Sequence, residues 1–144
     1  MPLVQFTDAY RTGDPTVDGQ HIELFRMFND LHGAILAGHE RGQLQATLDA
    51  LTAYVATHFQ TEEHLMLLHG YPGYAVHKTK HDDLAQNAAK VIEGYRSGKT
   101  VLTIALSRFF ADWLRLHIEI EDKPMIRYFQ ARKALRSGAL PPRP

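Results

Sequence analysis

The sequence predicts an all-α chain: an up-down-up-down four-helix bundle with an irregular N-terminal arm and a short C-terminal helix. Three observations predict it. Four long segments repeat apolar residues every three or four positions, the period of a helix buried along one face. The breaks between them carry glycine and proline and are short, and short connections make neighbouring helices antiparallel. The 144 residues, 44% of them hydrophobic, suit one domain with a sizeable core. The bundle domain is expected to occupy residues 1–136, and 137–144 to form a disordered tail.

The first sixteen residues carry no periodic pattern and are expected to form the arm. The first helix is predicted from Asp18 to Leu36, with His21, Leu24, Phe25, Phe28, Leu31, His32 and Ile35 inward. Asp18 is its expected N-cap, since a carboxylate there accepts from free N–H groups of the first turn. Gly38 and Gly42 end it. The second is predicted over Gln43 to Leu68, with Leu44, Leu48, Leu51, Val55, His58, Phe59, Glu62, Leu65 and His69 in its stripe. Gly70, Pro72 and Gly73 stop it. The third runs over Tyr74 to Arg96 and turns Tyr74, His77, His81, Leu84, Ala88, Val91 and Tyr95 to one side. After a turn at Ser97-Gly98 the fourth starts near Thr100, its stripe reading Leu102, Leu106, Phe109, Trp113, His117 and Ile120. Pro124 lacks an N–H and disfavours helical geometry before it, so a kink or break is expected there. A short helix from Met125 to Leu135 follows.

Composition excludes several classes of function. Lys plus Arg and Asp plus Glu are 16 each, so no excess positive charge points to nucleic acid or an anionic membrane. No apolar stretch is long enough to span a bilayer. Met1 to Tyr10 has neither the basic region nor the apolar run of a signal peptide, which makes a cytoplasmic location the expectation. Cysteine is absent, which excludes thiol nucleophiles, zinc–thiolate sites and iron–sulfur clusters. There is no nucleophile elbow, phosphate-binding glycine loop or zincin helix motif. Any metal must be held by nitrogen and oxygen.

Those donors are available, because the chain has nine histidines. Residues four apart lie about 40° apart around a helix, so His58 and Glu62 share a face, as do His77 and His81. All four fall within the apolar stripes. Left unpaired there, each neutral polar group would cost roughly 1–3 kcal/mol and the carboxylate more. A shared metal ion removes that cost. The first helix adds His21, and the fourth adds His117 followed by an inward acid, Glu121 or Asp122. Five histidines and two carboxylates are too many for one tetrahedral zinc and suit two ions of octahedral type bridged by the carboxylates. Iron accepts both imidazole and carboxylate.

These residues carry a family resemblance. Asp18-Gly19-Gln20-His21 with Asn29 and Leu31, His58-Phe59 with Glu62-Glu63 and Met66, Gly70-Tyr71-Pro72, His77-Lys78 with His81, and Trp113 with His117-Ile118 and Asp122-Lys123 together resemble the hemerythrins, above all the bacterial ones. The resemblance covers roughly residues 4 to 130. It implies a pair of iron ions joined by an oxo or hydroxo bridge. One would be held by His77, His81 and His117, the other by His21 and His58, with Glu62 and Asp122 bridging. It takes Asp122 over Glu121. Five residues after His117 is about 140° away on an ideal helix, so the helix is expected to be distorted ahead of Pro124. Leu24, Phe59, Trp113, Leu114 and Ile118 are implied as the wall around bound dioxygen.

The implied function is reversible dioxygen binding for carriage, storage or sensing. The partner is dioxygen, the chain is not an enzyme, and a regulatory role would require a separate protein partner. The alternative is a diiron redox enzyme acting on nitric oxide or peroxide, or an iron-centre repair protein. The histidine-rich ligand set leans toward oxygen binding. Of the remaining side chains, His32 is expected in the core or a channel, and His64 and Glu63 at the surface. His39 and His69 are expected near helix C-termini, where the dipole favours a charged imidazole.

Overall fold

The computed structural model describes residues 2–136, and the expected tail, 137–144, lies outside the described residues. Five α-helices follow one another: α1 (Pro15–Leu36), α2 (Arg41–Leu68), α3 (Tyr74–Arg96), α4 (Ile104–His117) and α5 (Lys123–Arg136). A single π-helical turn, Ile118–Asp122, joins α4 to α5 without a break. The arm holds one short 3-10 turn at Asp8–Tyr10. No strand occurs among the described residues, and the architecture is the expected four-helix bundle. α1 packs against α2 and α4, and α2 against α3.

Two helix starts, those of α1 and α4, differ from expectation by about a turn, and those of α2 and α5 by two residues. α1 begins at Pro15, because Asp14 is its cap: Asp14 is extended and its carboxylate accepts from the Val17 N–H at 2.9 Å. Pro15 then occupies a first-turn position where no donor is missed. Asp18 therefore lies inside the helix and is buried. Its carboxylate instead accepts from the Thr12 N–H at 2.8 Å, the Thr12 hydroxyl at 2.7 Å and the Gly13 N–H at 3.2 Å, strapping the arm to α1. The chain can fold back here because Gly13 adopts φ +96°, which a β-carbon disfavours. α4 begins at Ile104 rather than near Thr100, with the Thr103 side chain accepting from the Leu106 N–H at 3.1 Å.

That later start shifts the face of α4. Leu102 is buried but precedes the helix, so it does not set the helical phase. The inward residues are Ser107, Ala111, Leu114 and His117, whereas Phe109 and Ile120 are 54% and 60% exposed. Helix propagation also continues through Pro124, which sits in the first turn of α5. The expected disruption takes the form of the π turn.

The core has two apolar clusters. One gathers Leu24, Phe25, Phe28 and Leu31 of α1 with Leu48, Leu51, Tyr95, Leu102, Leu114 and Ile118. The other gathers Val17, Met66, Met125, Ile126 and Phe129. Along α1 and α2 the segments between them carry His21, His58 and Glu62, so a polar layer lies between two apolar ones.

Candidate metal centre

All seven side chains expected as ligands enter this layer, and all are buried: His21, His58, Glu62, His77, His81, His117 and Asp122. α1 supplies His21, α2 supplies His58 and Glu62, α3 supplies His77 and His81, α4 ends on His117, and the π turn supplies Asp122. Their ligand atoms form two groups. Glu62, His77, His81, His117 and Asp122 make one, and His21, His58, Glu62 and Asp122 the other, with atoms in each lying within 4.8 Å of one another. Glu62 and Asp122 belong to both.

The π turn decides which acid enters. The Lys123 N–H donates to the Ile118 carbonyl, five residues back. This wider turn brings residues five apart onto one side, and His117 Nε2 lies 3.2 Å from Asp122 Oδ1. Glu121 is carried away and pairs with Lys80 Nζ at 2.9 Å. Pro124 suits this geometry, since it has no N–H to give the Ile120 carbonyl and so does not enforce the α-helical register.

The contacts within the layer fit ligands around an ion better than donors meeting acceptors. Imidazole nitrogens approach each other closely: His21 Nε2–His58 Nε2 at 3.1 Å, His77 Nε2–His117 Nε2 at 3.2 Å and His81 Nε2–His117 Nε2 at 3.0 Å. Carboxylate contacts fall in the same range, among them His21 Nε2–Asp122 Oδ2 and His77 Nε2–Asp122 Oδ1 at 3.0 Å and His58 Nε2–Glu62 Oε2 and His81 Nε2–Glu62 Oε1 at 3.1 Å. Ligands about 2.1 Å from one ion lie about 3.0 Å apart at right angles and about 3.4 Å apart in a tetrahedron. The observed edges match the octahedral arrangement. Despite these short distances, Glu62 Oε2 and both Asp122 oxygens accept no hydrogen bond. Buried acceptors of this kind require a partner, and a cation on the imidazole side supplies one.

Charge favours the same occupant. Burial would raise Glu62, but His58, His117 and His21 hold it well below the usual carboxylate range. Asp122 is also held low: burial and Glu62 push it up, while His117 and His21 outweigh them. Burial alone would lower His21, His77 and His117. The close approach and negative charge of Asp122 and Glu62 prevail and carry each to about 9. Without a metal, the layer gathers protons in place of a larger cation.

A second ring of residues orients the imidazoles. His58 Nδ1 lies 2.7 Å from Gln20 Oε1, and Gln20 Nε2 donates to Thr61 Oγ1 at 3.2 Å. His81 Nδ1 lies 2.9 Å from Glu63 Oε2. A proton on Nδ1 leaves the Nε2 lone pair for a metal. Gln20 was not singled out by the sequence, although it directly precedes His21. Glu63 is corrected from a solvated surface charge to a partner of His81, its side chain only 19% exposed. An antiparallel α2–α3 pair brings these two residues together, which spacing along one helix does not reveal.

Apolar groups close the layer. The Phe59 ring stacks on His81 at 3.9 Å and the Trp113 ring on His117 at 4.4 Å, and the two rings are 5.9 Å apart. Leu24, Leu114 and Ile118 are buried in one cluster, with Trp113 packed against it. An apolar cavity of about 610 Å³ between the helices, lined by residues including Phe28, Leu48, Leu84 and Phe110, reaches Phe59.

The other histidines lie apart. His32 is buried with Nδ1 3.2 Å from Ser107 Oγ, as a core residue. His39 and His64 are exposed. His69 departs from expectation: it stacks on Phe129 at 4.5 Å, and burial, then Arg136 and Arg132, lower its pKa. These two cations oppose the favourable end of the α2 dipole.

Comparison with known proteins agrees with this geometry. Residues 12–129 match the Hemerythrin HHE cation binding domain. The chain is 36% identical over 124 residues to the bacteriohemerythrin of Methylococcus capsulatus, covering 85% of this chain and 94% of that protein. It is 29% identical over 123 residues to the bacteriohemerythrin of Stenotrophomonas maltophilia, covering 85% and 79%. The crystal structure of wild-type hemerythrin superposes with TM-score 0.81 at 36% identity, covering 84% of this chain and 93% of that one. A mutant hemerythrin structure gives TM-score 0.85 at 34% identity, covering 89% and 98%. With a family match across most of its length and a buried histidine–carboxylate layer in the corresponding bundle, the chain belongs to the hemerythrin family.

Proposed function

We propose that this chain binds dioxygen reversibly at a pair of iron ions. His77, His81 and His117 would hold one ion, His21 and His58 the other. Glu62 and Asp122 would span the two beside an oxo or hydroxo bridge. The observation that carries this reading is the unequal division of the layer: two ligand groups share both carboxylates but differ by one histidine. The group containing His21 and His58 offers one protein ligand fewer, so it leaves a coordination position for an external molecule. When bound, the iron pair supplies the two electrons that dioxygen takes up reversibly.

The chain's own residues do the rest. Gln20 and Glu63 fix the ring orientation of His58 and His81, so the lone pairs are aimed before any ion arrives. Neutral imidazoles outnumber carboxylates five to two, which limits how far the ligand set favours highly charged metal. Phe59 and Trp113 cover His81 and His117, while Leu24, Leu114 and Ile118 keep the adjoining core dry. Restricting water and protons favours release over irreversible oxidation. The apolar cavity ending at Phe59 suits an uncharged diatomic molecule.

The test is the visible spectrum of iron-loaded, reduced protein taken under nitrogen, then oxygen, then nitrogen. A charge-transfer band that appears with oxygen and disappears without it supports the proposal. Colour that persists after oxygen is removed refutes reversibility, and an absence of iron-dependent colour refutes the metal assignment.

A further inference from the structure

α4 carries an outward face that the bundle does not use. Phe109 and Leu116 are 54% and 56% exposed, and their seven-residue spacing aligns them along one side of α4; Ile120, 60% exposed, stands in the π turn that continues the helix. With the exposed Ala105 the stripe spans about 22 Å of helix. Large apolar side chains exposed in line along one helix face, rather than scattered singly, suit a contact with another surface.

Beside it runs a row of charges at the same period: Arg108, Asp112, Arg115 and Glu119. Their signs alternate along the helix. Arg115 and Asp112 pair with each other at 2.6 Å, while Arg108 and Glu119 have no ionic partner among the described residues.

This row is self-complementary in one arrangement. If a second α4 lies antiparallel across the stripe, related by a two-fold axis passing between residues 113 and 114, Arg108 of one copy faces Glu119 of the other. Asp112 likewise faces Arg115. Both pairs share the same midpoint, so one rotation gives Arg108 and Glu119 the partners they lack and sets the already paired Asp112 and Arg115 beside opposite charges, the self-complementarity that an isologous interface demands. A parallel arrangement carries the two rows to opposite flanks of the contact, where they do not meet. On the apolar side the same rotation seats Phe109 against the Leu116–Ile120 stretch of the partner. We infer that the outward face of α4 is a homodimer interface, formed by antiparallel packing of two copies about this axis. Trp113 then lies beside the axis, and since its indole stacks on His117, the interface sits directly outside the metal centre.

Sedimentation velocity of the full-length, metal-loaded protein from about 1 μM to about 500 μM spans the range for a moderate dimer. A monomer–dimer equilibrium is expected. Phe109→Glu is expected to weaken it by at least about thirtyfold, the effect of a charge placed among central apolar contacts. Arg108→Glu is expected to weaken it about tenfold through like-charge opposition, and Arg108→Glu combined with Glu119→Arg to restore it, because the swap preserves every pair. All of these positions are exposed, and unchanged helical circular dichroism verifies that each variant is folded. A monomer at the highest concentration, an oligomer indifferent to Phe109→Glu, or a double swap no better than the single change overturns the inference.

Discussion

Replacing Glu63 by alanine separates the two halves of the metal centre. Glu63 Oε2 lies 2.9 Å from His81 Nδ1 and makes no contact with His21 or His58, whose half of the layer is oriented by Gln20 instead. Outer partners of ligand histidines are worth about 10- to 100-fold in metal affinity. Here the carboxylate is 19% exposed and shared with Lys78 Nζ at 3.5 Å, and both water and the lysine dilute its hold on the imidazole. The lower end applies, about tenfold or about 1.4 kcal/mol. Under the proposed assignment the loss should fall on the ion that His77, His81 and His117 would hold, with the other ion weakened much less. Competition with a chelator of known strength, followed by counting the metal retained per chain, resolves the two affinities. Equal weakening of both, or no weakening, would refute the argument that Glu63 acts through His81.

Three further outcomes are expected. Asp122→Ala should abolish retention of both ions, while Glu121→Ala, which loses only the contact to Lys80, should keep two per chain; metal analysis after gel filtration compares them. Asp18→Ala leaves the Thr12 and Gly13 N–H groups without their acceptor and should cost roughly 1–3 kcal/mol in urea denaturation, with metal content unchanged. In the metal-free protein, His21, His77 and His117 lie at about 9 against 6.5 in the unfolded chain. The folded state therefore binds more protons: this stabilisation is fully present below pH 6.5 and is lost as pH rises through about 9. The thermal midpoint of the metal-free protein should fall over that interval, whereas acid should strip metal from the loaded protein, because protons compete for the same ligands. A metal-free midpoint flat from pH 6.5 to 9 would contradict the charge assignment.

The legible part of this molecule is the part governed by period and punctuation. α3 runs over Tyr74–Arg96 as its spacing predicts, and α2 is longer by two residues at its start. His58 with Glu62 and His77 with His81 were readable because one helical turn fixes their relation. The choice between Glu121 and Asp122 was not, since spacing measures residues along an ideal helix and the π turn is a departure from it. The family resemblance made that choice. The caps were misread where two signals competed: Asp14-Pro15 and Asp18 both suit a helix start, and only the fold of the arm over Asp18 decides between them. Phe109 was placed inward by counting from Leu102, a residue whose burial is not helical. Gln20 and Glu63 were beyond reach because their partners lie on other helices, and no periodicity within a strip of sequence encodes the rotation of one helix against another.

The metal layer also changes what kind of polymer this is. The side chains that meet there are separated along the chain by 37 residues from His21 to His58, 15 from Glu62 to His77 and 40 from His77 to His117. Any ion they share ties these points together and closes loops of those lengths, restricting the unfolded ensemble wherever it remains bound. Such ties do the work of disulfides in a chain that has no cysteine. They differ in what opens them: a thiol reductant leaves them intact, whereas a chelator or acid unfastens all three loops at once. With ions bound there, the strength of this scaffold would be coupled to metal supply.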